Sequence, residues 1–141
     1  AKEGEGMDLQ TRLDRVRSMR CGVRLHRMRA QDQLSLASQG MSRREATNWG
    51  GTGRCPLTEH ALAYGRERDL GDALSRRADS LWGELAPALR RMGDLNARRA
   101  VTLYYGCAMN WEQVGDAMDK SAQEVRDLSR RAIRLLREVS E

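Results

Sequence analysis

The stretch Asn110–Glu138, NWEQVGDAMDKSAQEVRDLSRRAIRLLRE, decides how this chain is read. It opens on Asn110, a residue that caps helix N-termini well, with Gln113 three positions on as the second half of a capping box. The helical pattern stops at Asp119–Lys120. It restarts at once with Ser121 as a cap and Glu124 at the third helical position. A short helix, a tight bend and a longer helix are therefore expected, the second held at an angle to the first.

Within the short helix, Val114 and Met118 are the expected core residues, with Trp111 half covered. Gly115 removes side-chain bulk so that a second helix can cross closely. The longer helix is expected to bury Val125, Leu128, Ala132, Leu135 or Leu136, and Val139. Arg126, Arg130 and Arg134 recur at intervals of four on a neighbouring face, with Arg131 and Arg137 beside them. The first turns carry Ala122, Gln123, Arg126 and Asp127 away from the core stripe. This is the geometry with which a helix-turn-helix sets side chains against base edges in the major groove.

Upstream of this pair, residues 95–105 read as another helix, with Leu95, Ala100, Val101, Leu103 and Tyr105 available to the core and Gly106 as its stop. Further back lie two long helical segments. In the first, about Met7 to Ser38, Leu9, Leu13, Val16, Val23, Ala30, Leu34 and Ala37 form a heptad seam if Arg20 and Arg27 are counted as polar members. Glu67, Asp69 and Asp72 are available to pair with those two arginines. The second segment starts near Leu57 with Thr58 as a possible cap. Leu57, Ala61, Tyr64, Gly71, Leu74, Ala78, Leu81, Leu85, Leu89 and Met92 repeat near the helical period, and Pro87 is expected to kink or split the helix. Between the two segments, Gly40–Pro56 holds four glycines and a proline and reads as a loop, with Trp49 as its odd member. The simplest arrangement is an antiparallel helical hairpin.

Composition agrees with a helical chain. Aromatics make up 4% and Phe is absent, so Leu, Val, Met and Ala must supply the core. The net charge of +5 favours an acidic partner without establishing one. Much of that excess lies in the first segment, where residues 7–38 carry seven Arg against three Asp. Residues 95–141 are nearly balanced, with eight basic and seven acidic side chains, a modest charge for phosphate binding. No apolar run suits a bilayer. Three cysteines without framework spacing fit free thiols in a reducing cytoplasm. Residues 1–6, AKEGEG, read as an expression scar.

Cys21 with His26 and Cys55 with His60 look like metal-ligand pairs, but their spacing misses the three- or four-residue interval of one helix face, so no zinc is expected. GGTGRCP lacks the Lys-Ser/Thr of a phosphate loop. No arrangement supports catalysis, and no cofactor is expected.

The segment LNARRAVTLYYGCAMNWEQVGDAMDKSAQEVRDLSRRAIRLLRE resembles region four of bacterial sigma factors. AVTLYY matches that family's apolar helix end with its Leu and Tyr. NWEQVGDAM matches the start of its next helix, and EVRDLSRRAIRLLRE matches its Val-Arg…Arg-Ala…Leu-Arg end. Two positions depart from the family. Asp119 and Lys120 stand where the turn usually has Gly and an apolar residue, and Ala122 stands at a position that is often a polar base reader. Base preference therefore does not carry over. With no melting or polymerase-clamping region ahead of the match, the chain is not expected to be a complete sigma factor. The layout as a whole resembles small phage and prophage proteins.

The expected fold is all-α: a long helical hairpin or coiled coil over residues 7–94, with a Gly-rich loop at 40–56, followed by a sigma-like helix-turn-helix over 95–141. The resemblance implies a cytoplasmic transcriptional regulator bound to double-stranded DNA. Gln123, Arg126, Asp127 and Arg130 would meet bases, and Asn110, Ser121, Arg131 and Arg134 would meet phosphates. The hairpin would pair subunits or contact RNA polymerase. Two other readings remain: a DNA-packaging subunit like the small terminases, and a protein-interaction or inhibitor module whose helix-turn-helix is only scaffold.

Overall fold

Asp8 opens the first helix, its carboxylate accepting the Thr11 backbone N–H at 2.7 Å. That hydrogen bond holds the Asp8 carboxyl below its ordinary pKa. The computed structural model describes residues 8–44 and 56–140. They form α1 (Leu9–Arg44), α2 (Pro56–Arg91), α3 (Leu95–Val101), a π-helical turn (Thr102–Gly106), α4 (Trp111–Met118) and α5 (Ala122–Ser140). The fold is all-α, with no strand among the described residues.

Three local expectations change. The first helix runs past Gly40 to Arg44, and Pro56 is already helical, so both ends of the expected loop are helix. The rest of that loop, with Trp49 and Cys55, lies outside the described residues. Proline suits a first helical position because its missing N–H would have no partner there. Of the two outcomes expected at Pro87, the split does not occur: α2 runs through it without a break. The proline removes one backbone hydrogen bond, while buried Leu81 and Leu85 before it and Ala88, Leu89 and Met92 after it hold both sides in a core.

The chain divides into two compact units, residues 22–75 and the remainder, and both long helices contribute to each. In the 22–75 unit, α1 and α2 run antiparallel. Position 22 lies against Leu74, and position 71 against His26. Farther along, His26 Nδ1 meets Glu67 at 2.6 Å and Gln33 meets His60 at 2.7 Å. A Cβ on Gly22 would lie 2.6 Å from Leu74, so glycine lets the helices approach closely.

The seam of α1 keeps the expected row of Val16, Val23, Ala30 and Ala37 and differs only in the row that alternates with it. Val16, Met19, Val23, Ala30 and Ala37 are buried. His26 and Gln33, both partly buried, fill the positions between them. Arg27 is exposed, and so is Leu34 at 42%. Arg20 pairs with Asp79 at 2.6 Å, not with the carboxylates proposed for it, and Glu67 is taken by His26. On α2, Ala61 is exposed.

The other unit holds the larger core. Leu13 of α1 packs with Leu85, Ala88, Leu89 and Met92 of α2, with Ala97, Val101 and Tyr105, and with Ala132, Ile133 and Leu136 of α5. Leu95 faces solvent instead, 55% exposed. No helix among the described residues is long and apolar enough to cross a membrane.

Candidate nucleic-acid interface

The expected helix pair is present, with its caps as the sequence specifies. Asn110 Oδ1 accepts the Gln113 N–H at 2.8 Å, and the Gln113 side chain accepts the Asn110 N–H at 3.0 Å. Ser121 Oγ accepts the Glu124 N–H at 3.1 Å, and Glu124 accepts the Ser121 N–H at 3.3 Å. Between them, Asp119 takes the left-handed conformation, φ 57 and ψ 48. Aspartate tolerates that region better than most residues, which lets it stand where glycine is common.

Gly115 makes room where the turn leads into α5. A Cβ there would lie 2.6 Å from the Lys120 carbonyl oxygen. The Lys120 N–H in turn donates to the Gly115 carbonyl at 2.8 Å. The missing side chain makes room for the turn backbone itself. The bend is thus pinned by a left-handed residue, a close backbone approach and two reciprocal caps.

The start of α4 is set from outside the pair. The π-helical turn is closed by Cys107 N–H to the Thr102 carbonyl at 3.0 Å and Met109 N–H to the Leu103 carbonyl at 3.1 Å. Arg17 of α1 donates to the carbonyls of Tyr104 and Met109, both at 2.8 Å, and Arg20 donates to that of Gly106 at 3.1 Å. The Arg17 guanidinium also lies 3.9 Å from the centroid of the Tyr104 ring. Tyr104 stacks on Trp111 at 3.6 Å, nearly parallel. A cation, a phenol ring and an indole thus form one stack that fixes the first residue of α4. Sequence reasoning missed this use of Arg17 and Arg20, because a helical row of arginines reads equally well as a solvated face.

In α5, Val125, Ala132 and Leu136 are fully buried, with Ile133 and Ser129 nearly so. Leu128, Leu135 and Val139 are only partly covered. Ser129 was not expected in the core. Its hydroxyl hydrogen-bonds with that of Tyr105, which also accepts from Gln10 at 3.2 Å.

All eight proposed contact residues are exposed. Their layout is not a single arginine row. Gln123, Asp127, Arg130 and Arg134 recur at four, three and four and face directly away from the core. Arg126 lines a groove with Asn110, Trp111, Glu112 and Ala122, on the side of α4. Arg131 and Arg134 line another with Lys120, Glu124, Asp127 and Leu128. Asp127 accepts from Gln123 Nε2 at 3.0 Å and lies 3.8 Å from Arg130. Arg131 reaches Asp94 at 3.2 Å, the residue that caps α3. Among the described residues, no cluster of His, Cys, Asp or Glu could hold a metal.

This bend, with a supported first helix and an outward polar row on the second, defines a helix-turn-helix of the DNA-binding class. Residues 94–138, about a third of the chain, match the family described as Sigma-70, region 4, so this segment is a sigma region 4-like helix-turn-helix. No curated protein and no solved structure matches the chain.

Proposed function

We propose that the chain is a sequence-specific DNA-binding regulator of the phage or prophage type. The observation that carries this reading is the outward row of α5, which begins directly after a firmly capped turn in a segment matching a DNA-binding family. Gln123, Arg126, Asp127 and Arg130 meet base edges. Arg131, Arg134, the Asn110 side-chain amide and the Ser121 hydroxyl meet phosphates. The oxygens of Asn110 and Ser121 serve as cap acceptors, which leaves their hydrogens as the donors turned to DNA. RNA polymerase is the proposed protein partner.

The balanced charge of the segment argues for few phosphate contacts. Affinity should therefore fall only gently with salt, with a slope of roughly −0.9 per phosphate neutralised by an arginine or lysine. The test is selection of bound fragments from a random DNA pool with the full chain, followed by titration of the selected and scrambled duplexes. Enrichment of one motif supports the reading. No retention of any DNA at low salt overturns it and leaves the helix pair as a scaffold for protein contacts.

A further inference from the structure

Among the described residues, six of the seven large apolar side chains that stand exposed lie in the 22–75 unit: Leu25, Leu34, Leu36, Leu62, Leu70 and Met28. Two helices alone have only one seam between them, so apolar side chains on their other faces stay in water. The order of residues on one such face is informative. Counting by the seam of α1, Leu25, Arg29, Asp32 and Leu36 fall on a second stripe beside it. Because the partner helix is antiparallel, the matching flank of α2 comes to the same side of the hairpin and brings Leu70 there.

The stripe on α1 reads the same way from both ends. Leu25 and Leu36 are its outer members, 45% and 41% exposed. Arg29 and Asp32, both exposed, are its inner members and opposite in charge. If two copies of this stripe run antiparallel about a two-fold axis between residues 30 and 31, each Leu25 meets a Leu36 and each Arg29 meets an Asp32. An isologous dimer requires this kind of self-complementary patch.

We propose that the 22–75 hairpin is a dimerisation element, in which α1 packs antiparallel on α1 of a second copy along Leu25, Arg29, Asp32 and Leu36. Leu70 broadens the apolar contact at its ends. The paired charges fix the register, since sliding by one turn sets Arg29 and Asp32 against leucine. This inference is independent of DNA binding by the C-terminal helices.

The test uses the full chain and two charge reversals, Arg29→Glu and Asp32→Arg. Both positions are exposed, and circular dichroism checks that helix content is kept. Sedimentation equilibrium should give the mass of a dimer for the unmodified chain. Each single variant sets like charges against each other twice and should raise the dimer dissociation constant by about tenfold or more. The double variant, Arg29→Glu with Asp32→Arg, should restore the original value. An equimolar mixture of the two single variants should also restore it, because each supplies the charges the other lacks. A monomeric unmodified chain at 100 μM, on the order of the weakest association of interest, would overturn the proposal. So would single variants that dimerise normally, or a mixture and a double variant that stay as weak as the singles.

Discussion

Gly115 shows how closely one residue can be specified. Its absent Cβ would meet the Lys120 carbonyl at 2.6 Å, and backbone cannot step aside as a flexible side chain can. Gly115→Ala should therefore destabilise the chain by about 1–3 kcal/mol despite the better helix propensity of alanine. Urea unfolding measures this, and an unchanged midpoint would mean that the turn is not held as described. Asp127 is a second such position. It places a negative charge in the outward row while engaging Gln123 and Arg130. Asp127→Asn should strengthen binding to scrambled DNA, because repulsion from phosphates is removed, and should narrow the gap between selected and scrambled sites. Tyr105 makes a pH prediction. Burial raises its pKa, and the hydrogen bond from Gln10 only partly opposes this. The unfolded chain then ionises first as pH rises above about 10. The native state holds the proton longer, so stability is full below that pH and declines above it. Tyr105→Phe should flatten that decline in urea midpoints measured between roughly pH 9 and 11.

At the scale of elements, the local signals in the sequence were dependable and the long-range ones were not. Both capping boxes and the Asp119–Lys120 bend were legible because each is written within four residues. Only half of the α1 seam was legible: Val16, Val23, Ala30 and Ala37 are buried as their spacing suggests, and the row between them is not the expected one. Arg27 and Leu34 looked like better continuations than His26 and Gln33, yet the latter sit inward because Glu67 and His60 meet them from α2. Ser129 was hidden for the same reason, its partner Tyr105 lying far away in sequence. The candidate contact residues were recoverable as exposed positions. Their division between two grooves depends on where α4 and Asp94 lie, which no periodicity reports. The support that α1 gives to the start of α4 was equally invisible. Arg17→Ala removes two hydrogen bonds to carbonyls and the cation over Tyr104. A loss of about 2–4 kcal/mol is expected, with a change in tryptophan fluorescence as Trp111 loses its fixed stack. Arg17→Lys should recover only part of this, because a lysine cannot lie flat on the ring while serving two carbonyls.

At the scale of the molecule, the helix-turn-helix does not stand alone. Its core includes Leu13 of α1 and Leu85, Ala88, Leu89 and Met92 of α2. A peptide of residues 95–141 should accordingly show far less helix by circular dichroism than the same residues contribute in the full chain. In the proposed function, α5 reads DNA with its first turns and grips phosphates farther along. Arg126 and Arg134 separate these roles better than Arg131 does, because Arg131 also pairs with the cap of α3. The direct measurement is binding of Arg126→Ala and Arg134→Ala to the selected duplex and to scrambled DNA across a salt series. Arg126→Ala should lose on the order of 1–3 kcal/mol on the selected site only. Arg134→Ala should weaken both DNAs alike and reduce the salt slope by about one. Equal losses on both DNAs for Arg126→Ala, or no loss for either variant, would contradict the account.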